Sequence, residues 1–399
     1  MNIIYVSSGC SEEKFEDLRK KGITKKLPQA QKYHQLMVEG LAEVIDGTVY
    51  VISAIPTNRS WSKRLFFDRE VETIGNIQYR YIPFINFPFI GQLSRIFFAG
   101  KEIRRLLDGS KTYIICDVLN QSISEAARKA GKSYGIPVLG IVTDVPGHTS
   151  GASRKEYSFF RRLLGDFAEY RASKIIHSYD SYLFLTEAMN EVVNLNNRPY
   201  MVAEGQCDHK MKVAGTAKKS FPRVAMYAGG IHKEYGIEMM VEAFLKVECD
   251  GWVLHIYGDG NYREELTELS AVNSRIKYFG VVSNVEITQR QLEASLLLNP
   301  RPTDAEYVKY SFPSKTMECM VSGTPLLTTR LPGMPEEYYS HVYFFDDESV
   351  EGMTEAFSRV LALPDNELSE KGRQAKEFVL KEKNNISQAR KVISFLDNL

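Results

Sequence analysis

The chain has 399 residues, 44% of them hydrophobic and 25% charged, with 50 basic and 50 acidic residues and a formal net charge of zero. At roughly 100–200 residues per domain, this length predicts two domains. The charge balance excludes bulk attraction to nucleic acid and leaves only local basic patches. The five cysteines, Cys10, Cys116, Cys207, Cys249 and Cys319, are odd in number and form no C-x-x-C pair. They suggest neither a disulfide frame nor a zinc site, and a reducing compartment fits.

The chain opens with MNIIYVSSGC, which enters a strand directly and lacks the basic region and apolar run of a signal peptide. No stretch approaches the ~18 consecutive apolar residues of a membrane-spanning helix. The expectation is a cytoplasmic protein. Continuous apolar runs then recur at 2–8, 49–55, 112–118, 137–145 and 181–186, and again at 223–230, 252–260, 276–282, 295–300, 325–330 and 342–347. Runs of this kind, not alternating ones, suit strands covered on both faces. Segments with helical spacing separate them, as in EYGIEMMVEAFLKV. Strands alternating with helices predict an α/β fold with parallel sheets. After residue 200 the chain turns polar and basic, then restarts with a fresh strand. Two Rossmann-like domains facing across a cleft is the expected architecture. The boundaries are 1–205, 206–380 and a C-terminal helix over 381–399 packing back towards the N-terminal domain.

In open α/β sheets ligands bind at the carboxyl ends of strands, which directs attention to particular loops. YAGGIHKEYG (227–236) ends a strand in Gly229 and Gly230, where backbone N–H groups can approach a ligand closely. His232 and Lys233 add positive charge there; a plain strand-to-helix turn is the competing reading. YGDGN (257–261) reads first as a sharp turn. In SFPSKTMECMVSGTPLLTT (311–329), Ser311 is a plausible cap, Pro313 opens a helix, Gly323 closes it, and a strand follows. The expected helix spans 313–322. Its free N–H groups and dipole would make its start an anion site, with Ser314 and Lys315 beside it. Glu318, one turn on, can accept two hydrogen bonds and so suits the vicinal diol of a ribose. The competing reading is an i,i+3 surface pair between Lys315 and Glu318. The apolar Met317, Met320 and Val321 predict a mostly buried helix, in which a carboxylate would need a partner.

In order along 223–340, the series YAGGIHKEYGIEMMVEAF, HIYGDG, IKYFGVV and LLLNPRPTDAEYVKYSFPSKTMECMVSGTPLLTTRLPGMPEEY resembles the C-terminal half of GT-B glycosyltransferases. More narrowly, it is similar to the retaining, glycogen-synthase-like (glycosyl transferases group 1) family in its bacterial capsule and exopolysaccharide branch. The resemblance is weaker over 1–200, where LPQAQKYHQLMVEGLAEV, TDVP and SYLFLTEAMNE carry it. It implies a C-terminal domain that holds a nucleotide-sugar, a UDP- or GDP-sugar above all. Glu318 would bind the ribose, and Ser314, Lys315 and Thr316 the diphosphate. Gly229 and Gly230 would close over the donor phosphates, Val281 and Val282 would line the base pocket, and Gly258 would border the nucleotide. Many relatives have an arginine and a lysine where this chain has Gly230 and Tyr235, so Lys233, Arg301 and Lys315 become the candidate cations, with His232 behind them. Many also have a second glutamate where this chain has Tyr310, leaving Asp304 and Glu306 as the nearest acids.

Helix start and cations together can stabilise a leaving diphosphate where charge develops, and no D-x-D motif sits at a strand end. No metal and no cofactor are expected. The family implies retention of configuration, with the departing phosphate helping to deprotonate the acceptor hydroxyl. A glycan or lipid-linked acceptor should lie against the N-terminal domain, with Asn120, Gln121, Asp144 and His148 as candidates. Asp144 can equally cap a helix. In YIPFINFPFIGQLSRIFFAGKEIRRLL (81–107), aromatics interleave with Arg95, Lys101, Arg104 and Arg105. That suits peripheral contact with the inner face of a membrane, or else a core helix with solvated arginines. Two other functions compete: a catalytically silent sugar-nucleotide or glycan-binding subunit, and a GT-B-type sugar-nucleotide epimerase.

Overall fold

The computed structural model describes residues 1–24, 29–88, 90–107, 109–145, 174–211 and 219–399. The chain divides into two compact units. One comprises Met1–Gln206 with Asn385–Leu399, the other Cys207–Asn384.

The first unit is built on an eight-stranded sheet. Its strands are β1 (Asn2–Ser7), β2 (Val49–Ser53), β4 (Glu70–Ile74), β5 (Ile77–Tyr81), β7 (Thr112–Asp117), β8 (Val138–Val142), β9 (Ser181–Phe184) and β10 (Tyr200–Val202), while β3 (Phe66–Phe67) and β6 (Phe84–Ile85) form a separate ribbon. The sheet order is β10-β9-β8-β7-β1-β2-β5-β4. Every pair is parallel except β4 with β5. The order reverses direction between β1 and β7, which makes that junction the topological switch point. Ile3, Ile4, Ile114 and Ile115 have no exposed surface. Each such side chain contributes about 1.5–3 kcal/mol on burial, which is why the central strands read as unbroken apolar runs. The helix Asn385–Asp397 packs within this unit on the helix Gln29–Val44: Asn385 Nδ2 donates to the Leu36 carbonyl at 3.1 Å.

The second unit has six parallel strands: β11 (Arg223–Ala228), β12 (Trp252–Tyr257), β13 (Ile276–Tyr278), β14 (Leu296–Asn299), β15 (Leu326–Thr329) and β16 (Tyr343–Phe345). Their order is β13-β12-β11-β14-β15-β16, the 3-2-1-4-5-6 arrangement of a doubly wound fold, with its switch point between β11 and β14. Ile237, Met240, Val241 and Phe244, at helical spacing on the helix Ile237–Lys246, are buried in its core.

All eleven expected strands form. The short β3 and β6, the hairpin β4–β5 and the edge strand β10 were not expected. β4 is the sequence EVETI and is largely exposed. A polar edge strand carries charges that block further pairing, and so gives no apolar signal. The helix after β14 runs Ser314–Ser322, one residue shorter than expected. Pro313 is its N-cap, with φ −75° and ψ 99°, and Gly323 closes it in the left-handed region at φ 76°. Ser311 is not its N-cap; it closes the 3₁₀ turn Glu306–Tyr310, where its N–H donates to the Val308 carbonyl. All five cysteines are free. Among the described residues no helix is long and apolar enough to cross a membrane.

One buried charge in the first unit is fully compensated. Glu102 is 3% exposed and accepts hydrogen bonds from Arg69 at 2.9 Å, Arg80 at 2.9 Å and Arg105 at 2.6 Å. Burial alone would push its pKa up; the three guanidiniums outweigh that and hold it at about 2. A carboxyl held below its unfolded value near ~4.3 adds stability above that value and loses it as pH falls through the folded pKa. The stability advantage of the wild type over Glu102→Gln should therefore shrink between about pH 4.5 and pH 2. Urea midpoints of the two proteins across that range check this; a constant difference would contradict it.

Candidate functional site

In the second unit the loops after β11, β12 and β14 meet at the carboxyl edge of the sheet. The Gly229 N–H donates to the Tyr257 carbonyl at 2.9 Å, and the Ile231 N–H to the Asp259 carbonyl at 3.1 Å. Gly258, at φ +133°, lies directly against the Gly229 carbonyl, where any Cβ would overlap it. Its N–H donates to the Gly280 carbonyl at 2.8 Å. The turn predicted at YGDG thus has a second task, holding the Gly229–Gly230 loop down on the sheet.

Lys315 and Gly229, distant in sequence, are neighbours here. A Cβ on Gly229 would collide with the Lys315 ammonium, which also lies 5.1 Å from the centre of the Tyr227 ring. Tyr227 Oη donates to the Gly230 carbonyl at 2.8 Å. Burial lowers the pKa of Lys315 and the positive charge of Arg301 adds to that, against the fields of Cys319 and Glu318. Arg301 follows β14 and spreads over the Tyr307 ring at 5.2 Å, and its buried Nε has no partner. Among the described residues neither Lys315 nor Arg301 has a carboxylate within ion-pair distance. Two cations share one corner with no carboxylate in ion-pair contact among the described residues, beside the N-terminus of the helix Ser314–Ser322, which has no side-chain cap. Such an arrangement accepts a polyanion.

Glu318 lies one turn along the same helix. It is exposed, and no described residue is its hydrogen-bond or ion-pair partner. The expectation of a mostly buried helix is corrected at this position: the helix buries Met317, Cys319, Met320 and Val321 but turns Ser314 and Glu318 to solvent. Glu318 is thus neither buried nor paired with Lys315, and its carboxylate is open to a ligand.

Two other expectations change. Thr316 is completely buried: its N–H donates to the Pro313 carbonyl at 2.9 Å, and its Oγ1 is enclosed without a partner instead of lying open at the helix start. Lys233 is drawn away from the glycine loop into ion pairs with Glu238 at 3.1 Å and Glu265 at 3.0 Å. Its charge is already balanced. His232 is half-exposed beside Gly230, and its Nδ1 accepts from the Asn261 N–H at 3.4 Å. Val281 is exposed on the loop after β13, with Val282 partly covered beside it, next to Phe279 stacked on Tyr257 at 4.7 Å. Tyr227, the aromatic floor under Lys315, gave no sign in the sequence beyond its place in an apolar strand.

The first unit has its own cavity, of about 400 Å³, at the switch point between β1 and β7. Ser8, Asn120 and Gln121 line it, as do Gln31, Asn58, Trp61, Gln92 and Arg95. Asn120 precedes the helix Gln121–Tyr134 but does not cap it. Its amide donates instead to Asp117 Oδ2. Asp117 is 3% exposed; its Oδ1 accepts from the Leu119 N–H at 3.0 Å and lies 3.3 Å from Nε2 of the buried His34. His34 Nδ1 in turn lies 2.7 Å from Tyr5 Oη. This buried chain fixes Asn120 at the rim. The sequence did not reveal His34, because a histidine among Met37, Val38 and Leu41 reads as ordinary core. Gln31, on the same helix, donates to Ser8 Oγ, and its Oε1 is buried without a partner. Asp144 sits beyond β8, exposed, outside the cavity lining, with its pKa raised by partial desolvation. His148 lies outside the described residues. Among those described, no group of three His, Cys, Asp or Glu side chains is arranged as metal ligands.

Residues 222–362 match the model of the family described as Glycosyl transferases group 1. No curated protein sequence matches the chain significantly. Over its whole length the chain is similar in structure to sucrose-phosphate synthase (tll1590) from Thermosynechococcus elongatus, at 14% identity and TM-score 0.62, covering 100% of this chain and 99% of that one. The apo form of the lipopolysaccharide outer core galactosyltransferase WaaB gives the same identity, TM-score and coverage. Anabaena Alr3699/HepE in complex with UDP is 11% identical with TM-score 0.58, and each chain covers 100% of the other; the same protein is also known with UDP-glucose. At these identities the likeness establishes the fold. The chain thus has the two Rossmann-like domains of the GT-B fold, and its residues 222–362 match the glycosyl transferases group 1 model.

Proposed function

We propose that this protein is a retaining glycosyltransferase. It moves a sugar from a UDP- or GDP-linked donor to a glycan or lipid-linked acceptor in cell-surface polysaccharide synthesis, without a metal. The observation that carries the reading is the corner formed by Lys315, Arg301 and the open helix start at Ser314, with the unpartnered Glu318 one turn away. The diphosphate lies on the Ser314 and Lys315 amides, between the two cations, and Glu318 takes the ribose hydroxyls. Val281 and Val282 flank the base. As the sugar–phosphate bond breaks, negative charge grows on the diphosphate, where fixed positive charge is worth most. Lys315 and Arg301 supply that charge, and the departing phosphate receives the acceptor proton.

The acceptor occupies the cavity of the first unit, with Asn120 and Gln121 at its rim and Asp144 at the same edge of the sheet. Membrane contact has support of its own. Ile90, Leu93 and Phe97 lie along one face of the helix Ile90–Leu106 and are 51%, 68% and 61% exposed; Phe66 and Phe87 are exposed as well. Lys101 and Arg104 continue that face, whereas Arg105 is tied to Glu102. An exposed apolar stripe ending in cations suits an anionic lipid surface. Tyr310, buried where many relatives place an acid, favours the silent-subunit alternative, and a turnover assay separates the two.

Three results are expected. Glu318→Ala should weaken UDP or GDP binding roughly tenfold, the scale of a lost charged hydrogen bond, with an unchanged melting temperature; isothermal titration and thermal unfolding measure this. Lys315→Met should raise stability by about 1 kcal/mol, because it removes an unpaired and desolvated cation, and should slow nucleotide release from the donor more than it weakens binding. A stable protein with undiminished turnover would refute the role of Lys315, and wild-type binding with no turnover on any donor–acceptor pair would point to the silent subunit. Leu93→Asp with Phe97→Asp should release the protein from anionic vesicles in a flotation assay while leaving nucleotide affinity unchanged.

A further inference from the structure

The cavity of the first unit is part polar, part apolar and nearly uncharged. Amides and hydroxyls line it, from Gln31, Asn58, Gln92, Asn120 and Gln121 among others, with Trp61 as an aromatic wall. Among its described lining residues Arg95 is the one ionisable group. Its guanidinium stacks on Phe84 at 4.1 Å, and no described carboxylate pairs with it. Of the arginines near it in sequence, Arg64 meets Asp68, Arg69, Arg80 and Arg105 converge on Glu102, and Arg104 is exposed to solvent. Burial lowers the pKa of Arg95, so holding it there uncompensated is costly. Opposite it, the helix Gln121–Tyr134 begins without a side-chain cap because Asn120 is committed to Asp117. Its first-turn residues Gln121, Ser122 and Ile123 line the same cavity.

We infer that this cavity selects an acceptor carrying one oxyanion, a phosphate or a carboxylate, beside its sugar ring. Arg95 binds that group and the amide side chains bind the hydroxyls. The inference rests on the cavity being the acceptor site of a glycosyltransferase. A neutral sugar would leave the guanidinium unpaired, and a second anionic group on the acceptor would find no further cation in the lining. Arg95 suits the task because its planar fork pairs with an oxyanion through two parallel hydrogen bonds, while Phe84 fixes its plane.

The test is isothermal titration of the full chain, saturated with UDP so that the nucleotide site is filled, with glucose, glucuronate and glucose 1-phosphate. At least one anionic sugar should bind roughly tenfold or more tighter than glucose, the scale of a charge-assisted hydrogen bond. Preference for glucose 1-phosphate alone assigns the oxyanion to a phosphate, and preference for glucuronate alone to a carboxylate. Arg95→Gln should bring all three sugars within about twofold of one another. Gln121→Glu, which leaves Arg95 and Phe84 in place, should weaken the anionic sugars roughly tenfold more than it weakens glucose. Equal affinities in the wild type, no binding of any of the three, or a preference that survives Arg95→Gln would overturn the inference. The UDP titration in the same samples reports separately on the donor site, so a failure there is distinguishable from a failure here.

Discussion

Two positive charges without partners, Lys315 and Arg301, define the chemistry of the second unit. Like charges at close quarters repel, and a partly desolvated ammonium costs free energy. The fold nevertheless holds both at one corner, each over a tyrosine ring, Tyr227 and Tyr307. The helix start beside them adds a third source of positive potential. Strand order explains how they meet. Arg301 leaves β14 and the Gly229 loop leaves β11, the two strands flanking the switch point. Lys315 comes from the next helix and reaches back to Gly229. A side chain at Gly229 would occupy the place of the ammonium, so the glycine serves the cation at least as much as the backbone turn.

The balanced charges make the unbalanced ones informative. Glu102 is buried among three arginines, and Lys233 bridges Glu238 and Glu265. Lys219, equally structural, gives its ammonium to the Leu292 and Ala294 carbonyls and to Thr324 Oγ1. Lys315, Arg301, Glu318 and Arg95 lack such pairing among the described residues, and they stand at the carboxyl edges of the sheets or in the cavity there. On the proposed function, the desolvation cost at Lys315 and Arg95 is what a binding site gives up before its ligand arrives.

Much of this was legible in the sequence, for identifiable reasons. Central strands such as NIIYVS and RVAMYA are covered on both faces, and so they read as apolar runs. Gly323 fixed the end of the key helix because only a left-handed residue closes it there. The strand β4 was missed because an exposed edge strand is polar. At the site, Ser314, Lys315, Glu318 and Arg301 could be named from a proline-led helix start and a strand end. The burial of Thr316 could not, since it depends on which face of the helix meets the sheet. Nor could the neutralisation of Lys233, whose partner Glu265 lies 32 residues away. His34 and Asp117 become a pair only once β1, β7 and the helix Gln29–Val44 are assembled.

A crystal structure of the full chain with UDP tests the central claim most directly. The account places the diphosphate within about 2.7–3.2 Å of the Ser314 and Lys315 amides, flanked by the Lys315 ammonium and the Arg301 guanidinium, with both ribose hydroxyls on Glu318. A nucleotide bound at another edge of the fold, or a ribose that leaves Glu318 untouched, would contradict it.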